Sequence, residues 1–148
     1  MIGISPGTRS VGFAIIKDGT LIDWGVKLFK QEWSNEKLQK IIGVLDVYVQ
    51  KYQISTVAIK QHPPFRLSDG LEKLYDEIRD WAKNLNINLR VFTIEELKIF
   101  CNNLTNKDSL VDYIYEKYPE VKRTIERTKN IKYHIKTIEA LALVHAIR

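Results

Sequence analysis

The chain is nearly without sulfur, carrying one cysteine, Cys101, and one methionine in 148 residues. A lone thiol excludes an internal disulfide and agrees with a reducing compartment. No apolar run approaches the ~20 residues that a membrane-spanning helix needs. Internal repeats, low-complexity tracts and linkers are missing as well. His62, His134 and His145 do not have the spacing of a zinc set, and Cys101 adds nothing to them. Glycines 3, 7 and 12 form neither a GxGxxG motif nor a P-loop, so no nucleotide cofactor is announced. The N-terminus enters a strand pattern at once, which predicts no signal peptide and a cytoplasmic location. The length and the 45% hydrophobic content fit a single domain spanning residues 1–148.

What is present is an unevenly placed positive charge. The net charge is +5, and residues 117–136 account for all of it. That segment holds Lys117, Lys122, Arg123, Arg127, Lys129, Lys132 and Lys136 against Glu120 and Glu126. Such a cluster points to a polyanionic partner, although a solvated helix and loop would read the same way.

Residues 1–5 and 10–17 read as strands turned by Pro6-Gly7, and Asp18-Gly19 signals a hairpin into a third strand at 20–29. Ser34 is placed as a helix N-cap, with Leu38, Ile41, Ile42, Leu45, Val49 and Tyr52 following at helical spacing. A short apolar strand, "ISTVAIK", ends at "HPPFRLSDG", where two prolines prevent its continuation. A helix at 71–85, a strand at 87–93 and helices at 94–102 and 107–118 come next. Pro119 is expected to end the last of these or to start a new turn. The run "IEALALVHAI" is apolar nearly all round, which predicts a buried helix over 135–147. Three antiparallel strands, then alternating helices and strands, give an α/β class with a mixed five-stranded sheet and helices on both faces.

This order, opened by "IGISPGTRSVGFAII" and continued by "TVAIKQ", "NKDSLVDYIYEKYPEV" and "IEALALVHA", resembles the RNase H-like superfamily. Within it, the chain resembles the RuvC family of Holliday junction resolvases. The resemblance implies an RNase H-like fold, a DNA-junction partner, work in recombination and repair, and a homodimer that matches two-fold symmetric junctions. It also implies a two-metal nuclease site of four carboxylates. One follows strand one, one ends strand four, and two lie three residues apart on the last helix. Carried onto this chain, those positions are Ser5, Lys60, Lys136 and Glu139, of which only Glu139 is acidic. Four carboxylates and two Mg²⁺ ions sum to zero, whereas these four residues sum to +1 without any metal. Two ammonium groups repel a dication and can pair with Glu139 instead. Neither cofactor nor metal is therefore expected, with Mg²⁺ the cofactor if the site is active after all. Asp18, Asp23, Asp69, Glu95, Glu96, Asp108 and Asp112 all have turn, helix-start or surface explanations, so none is a replacement ligand.

Lys98 and Lys107 stand where the family's lysines approach the scissile phosphate, and Phe65, beside Arg66, resembles an aromatic that stacks on bases near the junction centre. A core-packed loop anchor is the other reading of Phe65. With Lys60 and Lys136, the residues expected to hold phosphates are Lys98, Lys107, Lys122, Arg123, Arg127, Lys129 and Lys132. His145 is expected in the core, and His62 and His134 near the site as phosphate contacts or acid–base groups. Trp24, Trp33 and Trp81 are assigned to the core and its edges. The first functional reading is a protein that binds branched or structured nucleic acid without cutting it. A structure-specific endonuclease with an atypical site is the second, and an interaction scaffold on a retired nuclease fold the third.

Overall fold

Ile2–Ser5 forms β1 and is buried along its whole length. Pro6-Gly7 ends it, and the chain returns antiparallel as β2 (Ser10–Lys17), setting Ile2 opposite Ile15 and Ser5 opposite Gly12. Asp18 and Gly19 both have positive φ, 51° and 78°, and make the tight turn into β3 (Thr20–Leu28). Ser34 caps α1 (Asn35–Tyr52) by accepting from the Lys37 amide. Then come β4 (Thr56–Gln61), a 3₁₀ turn over Pro64–Arg66, α2 (Asp69–Asn84) and β5 (Asn88–Thr93). The chain continues through α3 (Ile94–Phe100), α4 (Lys107–Lys117), α5 (Pro119–Thr128) and α6 (Ile135–Ala146). The computed structural model describes residues 1–102, 106–128 and 134–147, and of Arg66 and Lys107 the backbone only. No helix among the described residues is long and apolar enough to cross a membrane.

The strand order is β3-β2-β1-β4-β5, with β4 parallel to both β1 and β5. This is the expected mixed five-stranded sheet. Alternation along the strands divides its side chains between two cores. Ile4, Phe13, Ile15, Val57 and Ile59 meet α1 and α2 on one face. Ala14, Ala58 and Phe92 meet α3 to α6 on the other. Gly3, Ser5, Gly12 and Lys60 share that second face by register.

Two glycines let α6 come down to backbone contact. A Cβ on Gly3 would fall 2.3 Å from the Ala140 carbonyl oxygen, and one on Gly12 would fall 2.3 Å from that of Lys136. No side chain fits in either gap, so the small residues set the height of α6 above the sheet.

Pro119 does more than end a helix. It opens α5, a helix that the charge-rich sequence conceals because only Val121 and Ile125 turn inward. Proline suits a first helical position, where its missing N–H has no partner to lose.

Candidate nucleic-acid interface

The parallel strands β1 and β4 end side by side, and α6 crosses above them. Ser5 and Lys60 are the last inward-facing residues on those strands, and Glu139 is reached one turn into α6. All three are buried. Lys60 Nζ donates to Glu139 Oε2 in an ion pair, and Ser5 Oγ donates to Glu139 Oε1 at 3.3 Å. The one carboxylate of the constellation thus has both oxygens engaged by the protein itself.

Lys136 takes a different partner from the one expected. Its ammonium lies over Gly7, 2.7 Å from where a Cβ would be, and donates to the Pro6 carbonyl oxygen at 3.2 Å. The close approach at Gly12 fixes the Lys136 backbone, and the long side chain then reaches the β1–β2 turn. His62 Nε2 lies 3.1 Å from the same Pro6 oxygen. A carbonyl only accepts, so the neutral imidazole carries its proton on Nε2. Burial, and then the Lys60 charge, hold His62 below the usual histidine range.

Tyr75 on α2 fixes the exit of β4, a role its place in an apolar helical stripe does not announce. Its hydroxyl donates to the Lys60 carbonyl oxygen and accepts from the His62 N–H at 3.2 Å. Burial pushes the phenol well above its ordinary range, so it stays protonated and keeps donating. Lys60, Gln61, His62, Ile94, Lys136 and Glu139 are among the walls of a cleft of about 210 Å³.

The outlying expected residues fall into four groups. Phe65 is 82% exposed on the 3₁₀ turn beyond β4, so it is not a loop anchor packed on the core. Lys98, on α3, pairs with Glu95 at 3.3 Å and is largely covered. Lys122, Arg123 and Arg127 line the exposed side of α5, Lys122 reaching Glu126 at 4.0 Å. Thr128 Oγ1 lies 3.1 Å from His134 Nε2, which brings the basic end of α5 beside the start of α6. Lys129 and Lys132, and the side chains of Arg66 and Lys107, lie outside the described residues.

Away from the cleft, His145 pairs with the Tyr113 hydroxyl at 3.0 Å as a packed residue. Trp81 is buried and donates to Asp46 at 3.2 Å, and Trp24 and Trp33 pack at the two core edges. Burial pushes the Cys101 thiol up to about 11, so it is a core residue rather than a nucleophile.

A divalent metal does not fit this donor set. Mg²⁺ requires several hard oxygen ligands, and here the one carboxylate is held by an ammonium and a hydroxyl, with a second ammonium in the same cleft. Among the described residues no other group of acidic, histidine or cysteine side chains has metal-holding geometry.

Comparison with known proteins bears on the fold. Residues 1–63 match the family model described as crossover junction endodeoxyribonuclease RuvC. No curated protein sequence matches the chain. A structure of Thermus thermophilus RuvC in complex with a Holliday junction substrate superimposes with a TM-score of 0.70 at 13% identity. A second Thermus thermophilus RuvC structure gives 0.71, also at 13% identity, and each match covers 99% of this chain and 92% of the other. The chain is RuvC-like: its first 63 residues match the family's sequence model, and its fold is that of the RuvC structures.

Proposed function

We propose that this protein binds branched DNA, or a nucleic acid of similar structure, and holds it without metal-dependent cleavage. The observation that carries the proposal is the Lys60–Glu139 ion pair with Ser5 on the second carboxylate oxygen. It supplies from within the chain the positive charge that metal ions would bring to such a site. Two-metal hydrolysis needs carboxylates that bridge and orient the ions, and Glu139 has no oxygen to spare. Phosphate binding needs less: cations near an accessible cleft, with an aromatic surface for bases. Lys136 at the cleft, Phe65 on its turn and the Arg123–Arg127 side of α5 provide those parts. A pair of chains would match a two-fold symmetric junction.

The test puts purified protein with labelled four-way junction, duplex and single strand at ~50 and ~200 mM salt, in EDTA, Mg²⁺ or Mn²⁺. Tight, steeply salt-dependent junction binding in EDTA, with intact strands in either metal, is expected. Metal-dependent nicking that Glu139→Gln abolishes would establish an active nuclease instead. Junction affinity no better than ~10⁻⁴ M, the weak end of nonspecific binding, would favour a scaffold.

A further inference from the structure

A second and larger cleft, of about 610 Å³, opens on the other side of the β1–β2 turn. Arg9, Leu28, Lys30, Trp33 and Lys37 are among its walls, and none of them was singled out for binding by the sequence pattern. The antiparallel ladder assembles it. Beyond the Ser10–Leu28 pair, the Phe29 N–H donates to the Arg9 carbonyl at 2.9 Å, which sets Arg9 opposite Phe29. Lys30 follows where the ladder ends, and it and Arg9 line the cleft. Both are exposed.

Lys37 is the unusual member. It occupies the first turn of α1, where the helix dipole disfavours a cation, yet it is only 3% exposed. Its ammonium donates to the Gln31 carbonyl at 2.6 Å, and Gln31 also lines the cleft. An ammonium has three N–H donors, and the ion pairs of the described residues include none for Lys37, Arg9 or Lys30. Glu32 is the one acid on the wall. Keeping a charge buried with a single neutral partner is costly, and an anion entering the cleft would offset that cost. Beside the cations, half-exposed Leu28 and the indole of Trp33, seated against Gly70, give an apolar wall.

The two clefts share one turn. Lys136 lies over Gly7, and Thr8 and Arg9, the next two residues, line the second cleft. We infer that Arg9, Lys30 and Lys37 form a second phosphate subsite, which holds the nucleic-acid strand as it leaves the Lys60–Lys136 cleft. The inference rests on the nucleic-acid reading above and adds to it a path across the end of the sheet.

The variant R9E/K30E tests it, because both side chains are exposed and the fold can be checked by circular dichroism. Its junction affinity should fall ~10-fold or more, and its salt slope should shrink by about two, near 0.9 for each phosphate that is no longer neutralised. A milder R9Q/K30Q variant should shift the same way. Lys37→Met should weaken the junction complex while melting no lower than wild type, because a packed apolar residue replaces a buried charge. Wild type that binds the junction while R9E/K30E matches it in affinity and slope overturns the subsite alone. If wild type binds no nucleic acid, the functional reading fails, and inorganic phosphate or a mononucleotide then probes the cleft by itself. A rise in melting temperature that R9E/K30E loses would mark a free-phosphate site and overturn the strand assignment. No rise overturns the subsite altogether.

Discussion

The centre of the first cleft and the exposed side of α5 use the same side-chain chemistry to opposite ends. At the centre, Lys60 is buried and spends its charge on Glu139. On α5, Arg123 and Arg127 face solvent, with no carboxylate within ion-pair reach among the described residues. The centre is therefore a matter of stability, and on the proposed function the exposed cations would set affinity. A tally of basic residues would treat them alike. Burial separates them, since an ion pair removed from water is strongly destabilised by losing one partner, whereas an exposed cation contributes little until a polyanion arrives.

The sharpest way to break this contrast is at the centre. Glu139→Gln leaves the Lys60 ammonium buried without its counter-charge and should cost about 3–5 kcal/mol of unfolding free energy. The double variant K60M/E139L removes both charges and should recover most of that loss, which a denaturant-melt double-mutant cycle would read. Recovery by the pair but not by either single change would confirm that the centre acts as a neutral unit. Gly12→Ala comes next. Its Cβ would meet the Lys136 carbonyl at 2.3 Å, and the displaced helix should cost about 1–3 kcal/mol in the same assay.

Much of the centre was legible in the sequence, and for a physical reason. The resemblance to the RuvC family, carried over position by position, marks Ser5, Lys60 and Glu139, and periodicity places them on two strands and a buried helix, which the fold brings together. What escaped was whatever depends on tertiary reach. Lys136 and Glu139 share a helix face, so the sequence pairs them, but the lysine stem carries its ammonium to Pro6 instead. Tyr75 reads as one more apolar position of α2, because its hydroxyl bonds to backbone atoms across the core. Helix α5 hid behind its charges and behind a proline that begins it. Arg9, Lys30 and Lys37 lie far enough apart in sequence to look like scattered surface charge, and only the fold, with the β1–β2 turn, the end of β3 and the start of α1 converging, brings them to one wall.

Predictions for the exposed residues are smaller and of another kind. Phe65→Ala should leave the melting temperature unchanged, because the ring is mostly in solvent, yet weaken junction binding by about 1–3 kcal/mol if a base stacks there. Anisotropy titration beside a thermal melt separates the two effects. R123Q/R127Q should likewise melt as wild type while lowering the salt slope by up to about two, provided both side chains neutralise phosphates. A stability loss in either variant would erase the distinction between the exposed residues and the centre.

The smallest effect expected is on pH dependence. His62 binds its proton less readily in the fold than in the unfolded chain, so acidification favours unfolding. Stability should be fully present above the ordinary histidine pKa near 6.5. It should decline as pH falls from there toward the lower native value, and level off below it. Burial lowers His134 as well, so only the part of the decline that His62→Gln removes belongs to the cleft.

The seating of α6 on Gly3 and Gly12 has a mechanical consequence. A helix resting on backbone cannot be pressed closer, and lifting it would open the second core behind it. The cleft is therefore closer to a mould than to a hand. On the proposed function, an incoming phosphate would meet cations whose anchor points are fixed, and selection would fall on the shape of the nucleic acid, which must bring its charges to where the lysine stems end.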